Sequence, residues 1–141
     1  MTRIERTALI AQPPSKMFAL VDDVTAYPRL FPWCEKSEVL AEDGEFKTAR
    51  LHLKLGALRT SFATRNRRME PLSIAMQLVE GPFKQLSGEW RFAPIGEVGC
   101  KVSLVLEFET DNRLLGPLFA RGFKVLADRM VDDFVRAAAT A

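Results

Sequence analysis

The sequence predicts an α+β fold in which one curved antiparallel sheet grips a long C-terminal helix. Three observations carry this. Six segments of strand-like pattern follow one another between residues 37 and 109 with only short turns between them. Strands joined so closely must pair antiparallel, because parallel pairing needs long crossovers. Their apolar residues alternate, so each strand has one face to cover. The chain then changes period: Phe119, Phe123, Leu126, Met130 and Phe134 recur every three or four residues, an apolar helical stripe.

The elements follow in order. Ile4 to Ala11 reads as a first strand, ended by Pro13 and Pro14. Ser15 stands where an N-cap belongs. Met17, Phe18, Val21 and Val24 continue at helical spacing, which predicts a helix over about 15–23. Tyr27-Pro28 and Phe31-Pro32 prevent a long regular helix, since proline disfavours the helical conformation at the residue before it. They leave room for one short helical turn. Strands are predicted over 37–42, 46–55, 58–69 and 73–79, with turns at Asp43-Gly44, Gly56, Pro71 and Gly81-Pro82. In the second of these, Ala49, Leu51, Leu53 and Leu55 oppose Arg50, His52 and Lys54. Leu86, Gly88, Trp90 and Phe92 mark a fifth strand, Pro94 to Gly99 a loop, and Val102 to Phe108 a sixth strand. The last helix runs from about Pro117 to Ala138, with start signals at Asp111-Asn112 and Gly116-Pro117. At 1.5 Å per residue it is about 30 Å long, enough to cross a small domain.

The 141 residues suit a single domain spanning 1–141. A hydrophobic share of 48% and a charged share of 27% are ordinary for a globular chain. The net charge of +2 does not by itself predict a nucleic-acid partner, and no DNA partner is expected. No apolar run approaches the ~18 residues of a membrane span, and the N-terminus has no signal-peptide core. A cytoplasmic protein is the expectation. Cys34 and Cys100 are too few and too far apart for a disulfide framework or a zinc site.

Three runs carry a resemblance: Tyr27-Pro28-Arg29-Leu30-Phe31-Pro32-Trp33-Cys34, then Glu80-Gly81-Pro82-Phe83-Lys84-Gln85-Leu86-Ser87-Gly88-Glu89-Trp90-Arg91-Phe92, then Cys100-Lys101-Val102. They resemble the START-like, polyketide cyclase/dehydrase-type family, in the branch that holds the coenzyme-Q-binding proteins and the bacterial ribosome association toxins. The resemblance implies a helix-grip fold with an internal cavity. It implies a lipophilic ligand in that cavity, with ubiquinone the expected type, as a bound ligand and not a cofactor.

Catalytic chemistry has little to stand on in these residues. His52 is the only histidine and shares the polar parity with Arg50 and Lys54. Neither cysteine has a neighbour to lower its pKa. Glu107 and Glu109 fall on an outer face. No phosphate loop or metal-ligand spacing is present. The expectation is a binding protein without catalysis and without a cofactor, whatever the cyclase label of the family.

The candidate cavity residues are Tyr27, Phe31, Trp33, Phe62, Thr64, Asn66, Arg68, Phe83, Trp90, Phe92, Phe119, Phe123 and Met130. One strand stands out. If Phe62 points inward, Thr64, Asn66 and Arg68 share its face, and such a triplet is costly in a dry core. A cavity holding an oxygen-bearing ligand explains it; so does a bulge or a strand end leaving the sheet. Trp33 is expected at the cavity mouth as a wall or gate, the alternative being a plug in the core.

Charge marks a second candidate. Seven basic residues and no acid lie between Phe46 and Met69. Arg50, Lys54, Arg59, Arg65 and Arg67 fall on the outer face of two adjacent strands. They form either a solvated face countered by acids such as Glu38, Glu107 and Glu109, or a docking patch for an anionic membrane or ribosomal RNA. No aromatics punctuate that face, which argues against a sequence-reading RNA binder. The reading favoured is a carrier of a lipophilic quinone or prenyl lipid in support of respiratory quinone function, cytoplasmic or peripheral to the inner membrane. The alternative is docking on the large ribosomal subunit as an inhibitor of subunit association.

Overall fold

The computed structural model describes residues 1–140, apart from the side chains at positions 112, 114 and 115. The elements are β1 (Thr2–Ile10), α1 (Pro14–Asp22), a 3-10 turn (Val24–Ala26), α2 (Tyr27–Leu30), β2 (Cys34–Asp43), β3 (Phe46–Leu55), β4 (Leu58–Met69), β5 (Ser73–Glu80), β6 (Phe83–Ile95), β7 (Gly99–Thr110) and α3 (Asn112–Thr140). The seven strands form one sheet in the order β1-β7-β6-β5-β4-β3-β2, every neighbouring pair antiparallel. The chain walks hairpin by hairpin from β2 to β7, and β1 closes on the far side of β7. The segment from α1 to α2 therefore spans between the two edge strands.

Alternation decides which face is buried. Along β7, Cys100, Val102, Leu104, Leu106 and Phe108 are buried in turn, and Leu86, Trp90 and Phe92 do the same along β6. Gly88 breaks the β6 series for a packing reason. A Cβ there would lie 2.8 Å from Leu106 Cδ1 and 2.9 Å from the Val105 carbonyl, so only glycine fits.

α3 lies across this apolar face with Phe119, Phe123, Leu126, Ala127, Val131, Phe134 and Ala138 buried. Gly116 interrupts it at φ 71°, ψ −169°, and Pro117 opens the long part. Both predicted start signals are thus used, one on each side of the break. The part from Pro117 onward is about 36 Å long. Phe123, in the first third of that part, has ring centroids 4.9 Å from both Phe83 and Phe108 and 6.0 Å from Phe62.

Several local expectations need correction. Ser15 is not the N-cap: α1 starts at Pro14, Pro13 holds the cap position, and no side chain caps the helix. A proline in the first turn has no amide to leave unsatisfied. Tyr27 is helical (φ −55°, ψ −43°) although Pro28 follows it. The predicted loop at 94–99 shrinks, because β6 runs to Ile95 and β7 starts at Gly99.

This packing gives a direct expectation. Phe123→Ala should lower unfolding free energy in urea by about 3–5 kcal/mol, the cost of truncating a buried phenylalanine that packs on the rings of Phe62, Phe83 and Phe108. A loss below about 2 kcal/mol would mean that the ring faces mostly empty space.

Candidate functional site

A chamber of about 60 Å³ remains between the sheet and α3. Of the predicted residues, Tyr27, Trp33, Phe62, Thr64, Asn66, Trp90, Phe123 and Met130 line it. Phe31, Phe83, Phe92, Phe119 and Arg68 do not. Phe31 stacks on Trp33 with centroids 5.0 Å apart, Phe83 and Phe119 pack on each other at 5.3 Å, and Phe92 meets Phe18 of α1 at 6.1 Å. The chamber also takes Leu51, Met76, Leu106 and Phe134, which the prediction left out. Strand parity and the α3 stripe place all four inward, so the signal was there. Small-molecule pockets usually measure about 300–1,000 Å³. This one has room for a few water molecules.

The polar triplet divides. Thr64 Oγ1 donates to Asn66 Oδ1 at 2.8 Å on the chamber wall. Arg68 instead sits at the end of β4, 3.2 Å from Asp22 and 3.5 Å from Glu42, and donates to the Gly44 carbonyl. Lys47, buried on the inner parity of β3, joins it on Asp22 at 3.2 Å. These pairs tie α1 to the far end of the sheet.

Trp33 is the wall of the chamber. Its Nε1–H donates to Asp133 Oδ2 at 3.0 Å, and Arg136 Nη1 donates to the other carboxylate oxygen at 3.1 Å. Pro32 precedes it, and Tyr27 packs edge-on at 6.2 Å. The Tyr27 hydroxyl donates to the Val21 carbonyl, and burial pushes its pKa far up. On its other side Trp33 borders an open groove of about 510 Å³ between the β3–β4 turn and α3. One indole thus separates groove from chamber.

The reactive side chains are placed as follows. His52 Nε2 lies 2.7 Å from Glu38 Oε1 on the outer face, and that hydrogen bond holds Glu38 below the usual carboxylate range. Ser61, opposite His52 in the ladder, accepts from Arg50. Cys34 and Cys100 are both buried, and burial pushes the Cys34 thiol up to about 11. Among the described residues no group of three or more His, Cys, Asp or Glu is placed to hold a metal.

The basic strand face is largely neutralised. Arg50 pairs with Glu80, Arg59 with Glu35 at 2.8 Å and Arg67 with Glu45 at 3.3 Å. Arg65 lies 3.8 Å over the Phe46 ring, so an aromatic does stand on this face, contrary to expectation, and Lys54 is exposed at the groove rim. Of the acids expected to counter it, Glu38 does stand opposite Arg50 and bonds His52, whereas Glu107 and Glu109 pair with Arg3 and Lys84 elsewhere. The acids that pair with Arg50, Arg59 and Arg67 come from a strand end, an edge strand and a turn, which strand parity did not locate.

The family of polyketide cyclase / dehydrase and lipid transport proteins matches residues 10–135. The chain belongs to this family. Its relatives include the ribosome association toxin RatA of Pseudomonas aeruginosa, 41% identical over 141 residues, covering 97% of this chain and 95% of the relative. The protein of the same name from Escherichia coli K12 is 40% identical over 134 residues, covering 95% and 85%. Among solved structures, the Zhui aromatase/cyclase from Streptomyces sp. R1128 superposes with a TM-score of 0.84 at 22% identity, covering 98% of this chain and 93% of that one. At that identity the likeness concerns the fold. The 18 kDa protein CC1736 from Caulobacter crescentus gives 0.74 at 34% identity, covering 99% and 97%. These neighbours confirm the START-like helix-grip architecture. Among the described residues, no helix of this family member is long and apolar enough to cross a membrane.

The Trp33–Asp133 bond is testable. Asp133→Ala leaves a buried indole N–H without its acceptor, at a cost of about 1–3 kcal/mol. Acrylamide quenching of tryptophan fluorescence should rise in this variant, since Trp90, the other tryptophan, is only 2% exposed. Unchanged quenching would show that Phe31 stacking alone holds the wall.

Proposed function

We propose that this protein is a non-catalytic binding domain that docks on the large ribosomal subunit and opposes subunit association. One observation carries the reading. Likeness at 40–41% identity to proteins named for ribosome association extends over 95–97% of the chain. The interior is consistent with it. A chamber of about 60 Å³ leaves the work of the molecule to its surface. The outer face of β3 and β4 offers Arg59 and Arg67, whose ion pairs are exposed. Exposed pairs are worth little, so RNA phosphates can displace the carboxylates at small cost.

A second reading has its own support. Thr64 and Asn66 form a polar pair in an otherwise apolar chamber that Trp33 divides from the outer groove. A lipophilic quinone or prenyl lipid held there would need that wall to swing and the chamber to widen. The family description, which includes lipid transport, is in keeping with it.

Sedimentation with isolated ribosomal subunits across a salt series tests the first reading. Association with the large subunit should weaken steeply as salt rises, because phosphate contacts release counterions. Lys54→Glu combined with Arg65→Glu should weaken it about tenfold or more at constant salt. No association at low salt would contradict the reading.

A further inference from the structure

We propose that the groove outside Trp33 binds a single-chain anionic amphiphile, its chain on the apolar floor and its head on an arginine of the rim. The site is separate from the internal chamber, and the proposal does not rest on ribosome docking.

The floor is apolar and open. Leu55, Val125, Leu126 and the Trp33 indole border the groove. Leu118 and Val125 on its α3 wall are 65% and 53% exposed, two large apolar side chains left facing water. Gly122 keeps the floor low. A Cβ there would meet Leu55 Cβ at 3.4 Å, an ordinary contact, so any side chain at this position would take up space between α3 and the β3–β4 turn. The volume of about 510 Å³ lies within the usual range of small-molecule sites.

The rim carries the opposite character. Lys54, Arg121, Arg129 and Arg136 line it, against one acid, Asp133. That carboxylate is already used: one oxygen accepts from Trp33 and the other from Arg136. Arg121 and Arg129 have no acidic partner among the described residues. Arg50, Arg59 and Arg67 on the sheet face each have one. Cations without an acidic partner thus stand directly beside exposed apolar surface at this groove.

Spacing selects the ligand. Arg121 and Arg129 stand eight residues apart on one helix, about 12 Å along its axis. One head group reaches one of them, and a chain running along the helix covers the apolar residues between. A guanidinium takes a carboxylate or a phosphate in the same two-point geometry. A nucleic acid would leave Leu118 and Val125 wet and finds no exposed aromatic to stack on, Trp33 being 9% exposed.

Titration calorimetry with laurate and with lauryl phosphate, each below its critical micelle concentration, tests this. Both anions should show one saturable site, and dodecanol should bind far more weakly. Arg121→Glu with Arg129→Glu, and separately Val125→Asp, should each weaken binding about tenfold or more, with unchanged melting temperature. Arg50→Glu with Arg65→Glu should leave it unchanged. The proposal is overturned if the parent protein shows no saturable site, if dodecanol binds as tightly as laurate, or if both groove variants bind like the parent.

Discussion

The structure depends on one contact surface: the phenylalanine stripe of α3 against the single apolar face of the sheet. The seven strands form one layer, and α3 covers most of its apolar face, with α1 covering the part around Phe92 through Phe18. Phe123 touches rings from β4, β6 and β7 at once, and Phe134 meets Trp90 at 5.1 Å and Phe31 at 4.6 Å. The same helix also fixes the segment around Trp33, through Asp133. Remove the helix and the chamber, its wall and the groove all lose one side.

That contact also sets what the interior can hold. Bulky rings project from both surfaces and meet near the middle, so the space between them shrinks to about 60 Å³. Smaller residues at 123 and 134 would leave a ligand-sized cavity on the same backbone. One fold can thus serve enzymes, carriers and docking proteins, according to how far side chains fill it. In this chain the side chains fill most of that space.

The architecture was legible because it rests on periodicity. Two-residue alternation in β3, β6 and β7 and the three-to-four spacing of α3 located the elements within a few residues. Local capping was less legible: Ser15 looked like a cap, but Pro14 had already taken the first helical position. Site residues divided by distance in sequence. Thr64 and Asn66 follow from the parity of Phe62, whereas Arg68, on the same parity, swings to Asp22, 46 residues away. The Trp33–Asp133 bond joins residues 100 apart, and no local pattern announces it. The neutralisation of the basic face had the same cause. Glu35, Glu45 and Glu80 reach it from strands and turns whose positions only the folded sheet defines.

The central claim is that the core is filled and that partners meet the surface. Mass spectrometry of an organic extract of the purified protein tests it most directly. The account predicts no quinone or other prenyl lipid at a stoichiometric level. One equivalent of such a lipid per chain would contradict it, because a chamber of about 60 Å³ cannot enclose one without a rearrangement of Trp33 and α3.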